Sequence, residues 1–193
     1  MQLWAMQTKA LQKIEASELL TMLPQGLQKS LCSQESLRQD ALWAYSLLRV
    51  AVRDTFGMAL PDIDRTANGK PYFRDYPEIF FNISHTEGAV LVGLSNQEIG
   101  VDIEKERPVP PRVQNRLQVE AELFFAEWVR WEACAKCAGK SVLSVLRRRD
   151  IPDNVTYRTV EAFPGYYAGA AAQGTIEKVS IAYIKPDALF ADY

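Results

Sequence analysis

The feature that most constrains this chain is that its hydrophobic period changes repeatedly along the sequence. From Ser33 the residues Leu37, Ala41, Ala44, Tyr45, Leu48 and Val52 recur at three- and four-residue spacing, with Arg38, Asp40 and Arg49 between them. That period predicts an amphipathic helix. Ser33 is placed to cap it, Ser36 lies in its first turn, and Gly57 is placed to end it. The stretch before it, Met6 to Leu23, is mixed and is followed by a Pro24-Gln25-Gly26 break. After the helix, Asn68-Gly69 is a hairpin-type turn signal ahead of Lys70-Pro71-Tyr72-Phe73. Ile79–Ser84, Ala89–Leu94 and Ile99–Glu104 read as strands, with Asn96 suggesting a short antiparallel connection between the last two. Pro108, Pro110 and Pro111 form a stiff loop, and a second long helix is predicted over Val113–Ala138, with Gly139 beyond its end. Strands are expected around Asn154–Thr159, Tyr166–Ala171 and Val179–Ile184. Helix then strands, twice over, predicts an α+β chain of two similarly ordered halves, 1–97 and 98–193. There is no close internal repeat, so the duplication rests on element order alone.

A length of 193 residues fits one large domain or two small halves sharing a core. A formal net charge of -2 provides no global basic field, so neither nucleic acid nor an anionic membrane is expected as a partner. No apolar run approaches a membrane span, and Lys9, Lys13, Glu15 and Glu18 stand where a signal peptide would need an apolar block. Three cysteines, Cys32, Cys134 and Cys137, make a poor disulfide framework. A cytoplasmic location follows as the expectation. Cys134 and Cys137 form a C-x-x-C inside the predicted helix without a second ligand pair, which reads as core or partly buried free thiols rather than a zinc or redox site.

Four local patterns carry chemistry. In Gly100-Val101-Asp102-Ile103-Glu104, strand alternation puts Asp102 and Glu104 on one face and Val101 and Ile103 on the other. Neighbouring carboxylates repel unless solvent or a cation balances them, and hard oxygen donors of this kind suit Mg²⁺, which commonly takes one or two carboxylates plus substrate phosphate. Alone, such a D-x-E is more often a solvated strand face. Glu132 and Lys136 are four apart on the second helix, so they share a face, and the tryptophans at 128 and 131 argue against full exposure there. His85, the chain's single histidine, follows a strand in Phe81-Asn82-Ile83-Ser84-His85-Thr86. A Ser84–His85 hydrolase pair is disfavoured, because adjacent strand residues point opposite ways and no G-x-S-x-G elbow is present. Lys70, beyond the Asn68-Gly69 turn, can bind phosphate as a point charge. Arg147-Arg148-Arg149 is a basic cluster that reads first as solvated loop and second as a contact for an acidic partner.

Taken in order, GKPYF at Gly69–Phe73, FNISHT at Phe81–Thr86, GVDIE at Gly100–Glu104 and W-x-x-x-E-A-x-x-K from Trp128 to Lys136 resemble the 4′-phosphopantetheinyl transferase family of the surfactin-synthetase-activating type. The resemblance implies two similar α/β halves packed as a pseudo-dimer, with the active site in the cleft between them. It implies transfer of the phosphopantetheine arm of coenzyme A to a serine of an apo carrier protein of acyl, peptidyl or polyketide type, with release of 3′,5′-ADP. Asp102, Glu104 and Glu132 would then hold Mg²⁺, Mn²⁺ accepting similar ligands. Glu132 and Lys136 would be catalytic, and Arg38, Lys70, Ser84 and His85 would contact coenzyme A. A monomer is expected. The pattern departs from the family at Trp131, where relatives usually have lysine, at Asp40, near the place of a second basic residue, and in the short stretch between Glu104 and Trp128. Those departures keep a second expectation open, a non-catalytic module that holds coenzyme A or a carrier protein. A phosphohydrolase using the same carboxylates with water as nucleophile is a third.

Overall fold

The computed structural model describes residues 1–8, 16–32, 38–142 and 151–191. Ser33, Ser36 and the Arg147–Arg149 cluster lie outside the described residues, as does the side chain of Arg38. The elements run β1 (Gln2–Gln7), α1 (Ala16–Thr21), α2 (Gln25–Cys32), α3 (Arg38–Phe56), β2 (Ile63–Arg65), β3 (Pro71–Phe73), β4 (Phe80–Thr86), β5 (Ala89–Ser95) and β6 (Ile99–Lys105). They continue with α4 (Pro111–Leu117), α5 (Phe124–Cys137), β7 (Val155–Val160), β8 (Tyr166–Gln173) and β9 (Ser180–Tyr183). Short 3₁₀ turns cover Ala121–Leu123 and Pro186–Phe190.

A four-stranded sheet has the order β4-β5-β1-β9 and a three-stranded sheet the order β6-β8-β7, with β2-β3 as a separate hairpin. All pairings in these sheets are antiparallel except β1 with β9. Both faces of the four-stranded sheet are covered. Trp4, Met6, Val90, Val92 and Phe81 join α3 in one core, while Leu3, Ala5, Ala89 and Leu91 join Ile99, Val101 and Ile103 of β6 in a second. The opposite face of the three-stranded sheet packs on α5, where Ala133, Cys134 and Cys137 meet Ala171. The layers are therefore helix, sheet, sheet, helix.

This layering explains why the sequence hid β1 and misdirected β5. Strands covered on both faces lose the polar alternation that marks a strand. Gln2–Gln7 buries every residue but its ends, so it shows no period of two. The expected antiparallel connection of the last two strand candidates does not form. The two edges of β5 are taken by β4 and β1, and β6 enters the other sheet. The strands meet face to face instead: a Cβ on Gly93 would lie 2.7 Å from Ile99 Cδ1 and 2.9 Å from Val101 Cγ1.

The second long helix is also corrected. It is broken between α4 and α5 by Gln118, whose φ of 49° is left-handed and whose amide caps onto the Gln114 carbonyl. α4 buries no residue, so no apolar stripe holds 113–123 to the core as one helix. Gly57, at φ 64°, follows α3 and donates to Arg53 O, as its position predicts.

Candidate active site

The site lies along the free edge of β6. Its outward amides would be unpaired, because β8 occupies only the other edge. Alternate residues of β4 satisfy them: Asn82 Oδ1 accepts from Val101 N at 2.9 Å, Ser84 Oγ from Ile103 N at 3.4 Å, and Thr86 Oγ1 from Lys105 N at 3.4 Å. The period of two on β4 thus presents three polar side chains to one neighbour. It leaves Phe81 and Ile83 for the core of the other sheet face. On β6, Ile99, Val101 and Ile103 go into the core between the sheets and Asp102 turns toward α5, the alternation expected from the sequence. Gly100 is where α5 comes closest; a Cβ there would run into the Ala133 carbonyl oxygen and the Cys137 amide nitrogen. That approach delivers Glu132 and Lys136, one helical turn apart, to Asp102.

Lys136 Nζ donates to Asp102 Oδ1 at 2.6 Å and to Ser84 Oγ at 3.0 Å, and lies 3.5 Å from Glu132 Oε2. Ser84 Oγ donates to the same Asp102 Oδ1 at 2.8 Å. Asp102 Oδ2 is buried and has no hydrogen-bond partner among the described residues. Glu104 Oε2 accepts from Arg107 Nη1 at 2.8 Å and from Thr86 Oγ1 at 3.2 Å. Burial raises the pKa of Glu132, the negative charge of Asp102 raises it further, Lys136 draws it back, and Glu104 adds a smaller upward push. Glu132 therefore feels both neighbouring carboxylates, as a carboxylate gathered with others for a cation does.

A carboxyl whose folded pKa is raised costs the fold stability above that pKa, and the cost disappears once both states are protonated. Glu132→Gln should therefore raise the melting temperature by a few degrees at pH 7 in a chelator. The gain should vanish as pH falls through the raised value toward the ordinary 4.5. A pH-independent difference, measured by calorimetric unfolding across pH 4–8, would count against that electrostatic origin.

A cavity of about 820 Å³, within the range of small-molecule sites, opens onto this cluster. Lys70, Ser84, His85, Asp102, Glu104, Glu132 and Lys136 all line it, drawn from residues on either side of position 97. Lys70 reaches the cavity with its ammonium already engaged by the Glu98 carboxylate, by Ile99 O at 3.2 Å and by Cys137 O at 3.3 Å. His85 lies on the opposite side of β4 from Ser84, with Nδ1 4.0 Å from Asp40 Oδ2. Ser84 Oγ is bonded to Asp102 and Lys136, so the two residues do not form a nucleophile–base pair.

Sequence reasoning missed Arg65. It lines the cavity, donates to Gly69 O at 2.9 Å and Tyr45 OH at 3.2 Å, and sits opposite Pro71 in the β2-β3 hairpin. The Asn68-Gly69 turn that nominated Lys70 could have nominated Arg65 on the facing strand. Cys134 and Cys137 are buried free thiols, pushed up to about 11 and about 12 chiefly by burial, which makes them inert.

Among the described residues, no three His, Cys, Asp or Glu side chains converge tightly enough to hold an ion as they stand. The donor chemistry nonetheless fits a hard divalent cation. All the candidate ligands are carboxylate oxygens, and the buried Asp102 Oδ2 lacks a partner. No helix among the described residues is long and apolar enough to cross a membrane.

No family model matches the chain. Among curated proteins, it is 28% identical over 133 residues to the 4′-phosphopantetheinyl transferase Sfp of Bacillus subtilis (strain 168), covering 54% of this chain and 59% of that protein. It is 28% identical over 112 residues to the 4′-phosphopantetheinyl transferase psf-1 of Bacillus pumilus, covering 50% and 48%. It is 27% identical over 157 residues to the 4′-phosphopantetheinyl transferase ffp of Bacillus subtilis, covering 65% and 70%. The chain spans about half the length of the first of these relatives. The ordered motifs and these comparisons agree: in sequence, the chain is similar to proteins named 4′-phosphopantetheinyl transferase.

Proposed function

We propose that this protein transfers the 4′-phosphopantetheine arm of coenzyme A to a serine of an apo carrier protein, in a Mg²⁺-dependent reaction that releases 3′,5′-ADP. The observation that carries this function is the cluster of half-buried Lys136 and Glu132 around buried Asp102, whose Oδ2 has no partner among the described residues, opening into a cavity of cofactor size. The names of the relatives point the same way. Two halves, 1–97 and 98–193, would frame the cleft. Support for a pseudo-dimer comes from strand order: β4-β5-β1 in the first sheet has the same connectivity as β7-β8-β6 in the second, each with a long helix before the hairpin. In β9, however, the chain returns to pair with β1.

Asp102, Glu104 and Glu132 would hold Mg²⁺, which when bound supplies charge compensation for a diphosphate as its bond breaks. The serine hydroxyl of the carrier attacks the β-phosphorus, the bond to the bridging oxygen breaks, and 3′,5′-ADP leaves. Glu132, lining the cavity beside Lys136, receives the serine proton. Lys136, held by Asp102 and Ser84, places a positive charge beside the transferring phosphoryl group. Arg65 and His85 face the cavity where the nucleotide end of coenzyme A would lie. Arg38, at the start of α3, is assigned to coenzyme A from the family resemblance alone.

Incubation with coenzyme A, Mg²⁺ and a panel of apo carriers should add the mass of phosphopantetheine to at least one of them. Coenzyme A binding without any mass change on acyl, peptidyl and polyketide carriers would instead select a non-catalytic module. Release of phosphopantetheine without a carrier would select a hydrolase. Loss of a charge-assisted hydrogen bond is worth ~1.5–3 kcal/mol, so Arg65→Ala should raise KM for coenzyme A about tenfold or more with little change in kcat. An unchanged KM would remove Arg65 from the binding site.

A further inference from the structure

We propose that Lys136 is a built-in competitor for the divalent cation: its ammonium is bound on Asp102, and it must move off onto phosphate before the carboxylates can take a metal. Metal and diphosphate then load together rather than singly. This rests on the metal-dependent function proposed above and goes beyond it.

Three contacts define the arrangement. The ammonium lies 2.6 Å from Asp102 Oδ1 and 3.0 Å from Ser84 Oγ, and 3.5 Å from Glu132 Oε2. An ammonium has three donors and no acceptor. Pointed at two carboxylates and a hydroxyl, it uses those donors where a metal would seek its ligands. The carboxylate under it is the most enclosed of the set: the Asp102 side chain is 3% exposed, against 22% for Glu132 and 18% for Glu104. Low exposure weakens solvent screening, so a second cation arriving at Asp102 is repelled by the ammonium at close range.

Two features make the ammonium movable. Lysine's four-carbon stem is flexible, and at 28% exposed this side chain already reaches the cavity. Glu104 is held differently, by Arg107 from the loop after β6 and by Thr86. The competitor for Asp102 thus also faces the space where a diphosphate would bind. A diphosphate offers it replacement acceptors. Once it turns to them, Asp102 Oδ1 keeps only the Ser84 bond and lies beside the already unpartnered Oδ2, so the carboxylate can take a cation. Each ligand makes room for the other, and by linkage the coupling is reciprocal.

The test is calorimetric titration of Mg²⁺ into wild type and Lys136→Gln, with and without coenzyme A. The variant should bind Mg²⁺ about tenfold more tightly than wild type when coenzyme A is absent, and coenzyme A should enhance Mg²⁺ binding less in the variant than in wild type. Mg²⁺ binding with equal affinity and equal enhancement in both proteins overturns the competition while leaving the metal-dependent function standing. No Mg²⁺ binding in either protein, even with coenzyme A, overturns both. Should Lys136→Gln fail to fold, the wild type suffices. With lysine side chains labelled with ¹⁵N, the Lys136 ammonium signal, assigned by its loss in Lys136→Arg, is slowed in exchange by Asp102 and Ser84. It should shift when Mg²⁺ and coenzyme A are added together. An unmoved signal in the loaded protein overturns the proposal.

Discussion

Asp102→Asn is expected to lower carrier-protein modification by on the order of 10³-fold, because charge stabilisation at a metal-assisted phosphoryl transfer is worth several kcal/mol and each ~1.4 kcal/mol is a decade. The substitution is nearly isosteric. An amide oxygen can still accept from Ser84 and Lys136, which now converge on Asp102 Oδ1 at 2.8 Å and 2.6 Å. What disappears is the charge and the unpartnered oxygen. The variant should therefore melt within a few degrees of wild type while losing Mg²⁺-dependent stabilisation. Activity within tenfold of wild type, with the fold intact, would take Asp102 out of the metal site. Loss of both activity and fold would mean that the carboxylate is mainly a partner for Lys136, and Ser84→Ala, which leaves the charge in place, would then separate the two roles.

Gly100→Ala should be strongly destabilising for a single added methyl group. The added Cβ meets backbone, the Ala133 carbonyl and the Cys137 amide, rather than the end of a side chain. Backbone in the middle of a helix cannot step aside by a rotamer change, so α5 must lift off β6. The expected cost is about 3 kcal/mol or more, at the upper end for overpacking. That corresponds to a fall in melting temperature of roughly 6–12 °C for a chain of this size. Transfer should fall with it, since lifting α5 withdraws Glu132 and Lys136 from Asp102. Gly93→Ala is the control: its new Cβ would press on Ile99 Cδ1, Val101 Cγ1 and Leu3 Cδ2, all side-chain ends, and it should be milder. Equal melting temperatures for Gly100→Ala and wild type would show that the helix is not held as described.

Where the physics is local, the sequence was readable. The alternation of Val101 and Ile103 against Asp102 and Glu104, the four-residue step from Glu132 to Lys136, and the turns at Gly57 and Asn68-Gly69 each depend on a few neighbours. What escaped depends on distant partners. β1 looks featureless because one of its faces meets α3 and the other β6, and neither is visible from Gln2–Gln7. The separation of β5 from β6 into different sheets was settled by β1 taking the edge of β5. At the site, Lys70 was nominated by its turn, yet its ammonium is held by Glu98 and two carbonyls that no local pattern announces. Arg65 was overlooked because a lone arginine near a hairpin carries no period.

The parallel pairing of β1 with β9 has a consequence for how the protein is made. β1 is synthesised before the other strands of its sheet, pairs on one side with β5, and keeps its other edge unpaired until Ser180–Tyr183 are synthesised. At typical elongation rates of about 5–20 residues per second, that open edge persists for roughly nine to thirty-five seconds on every nascent chain. An uncovered strand edge is a template for other chains. Crowded polysomes making this protein would therefore depend on chaperones that shield strand edges. Slowing translation over the stretch before Ser180 should lower soluble yield without altering a single residue.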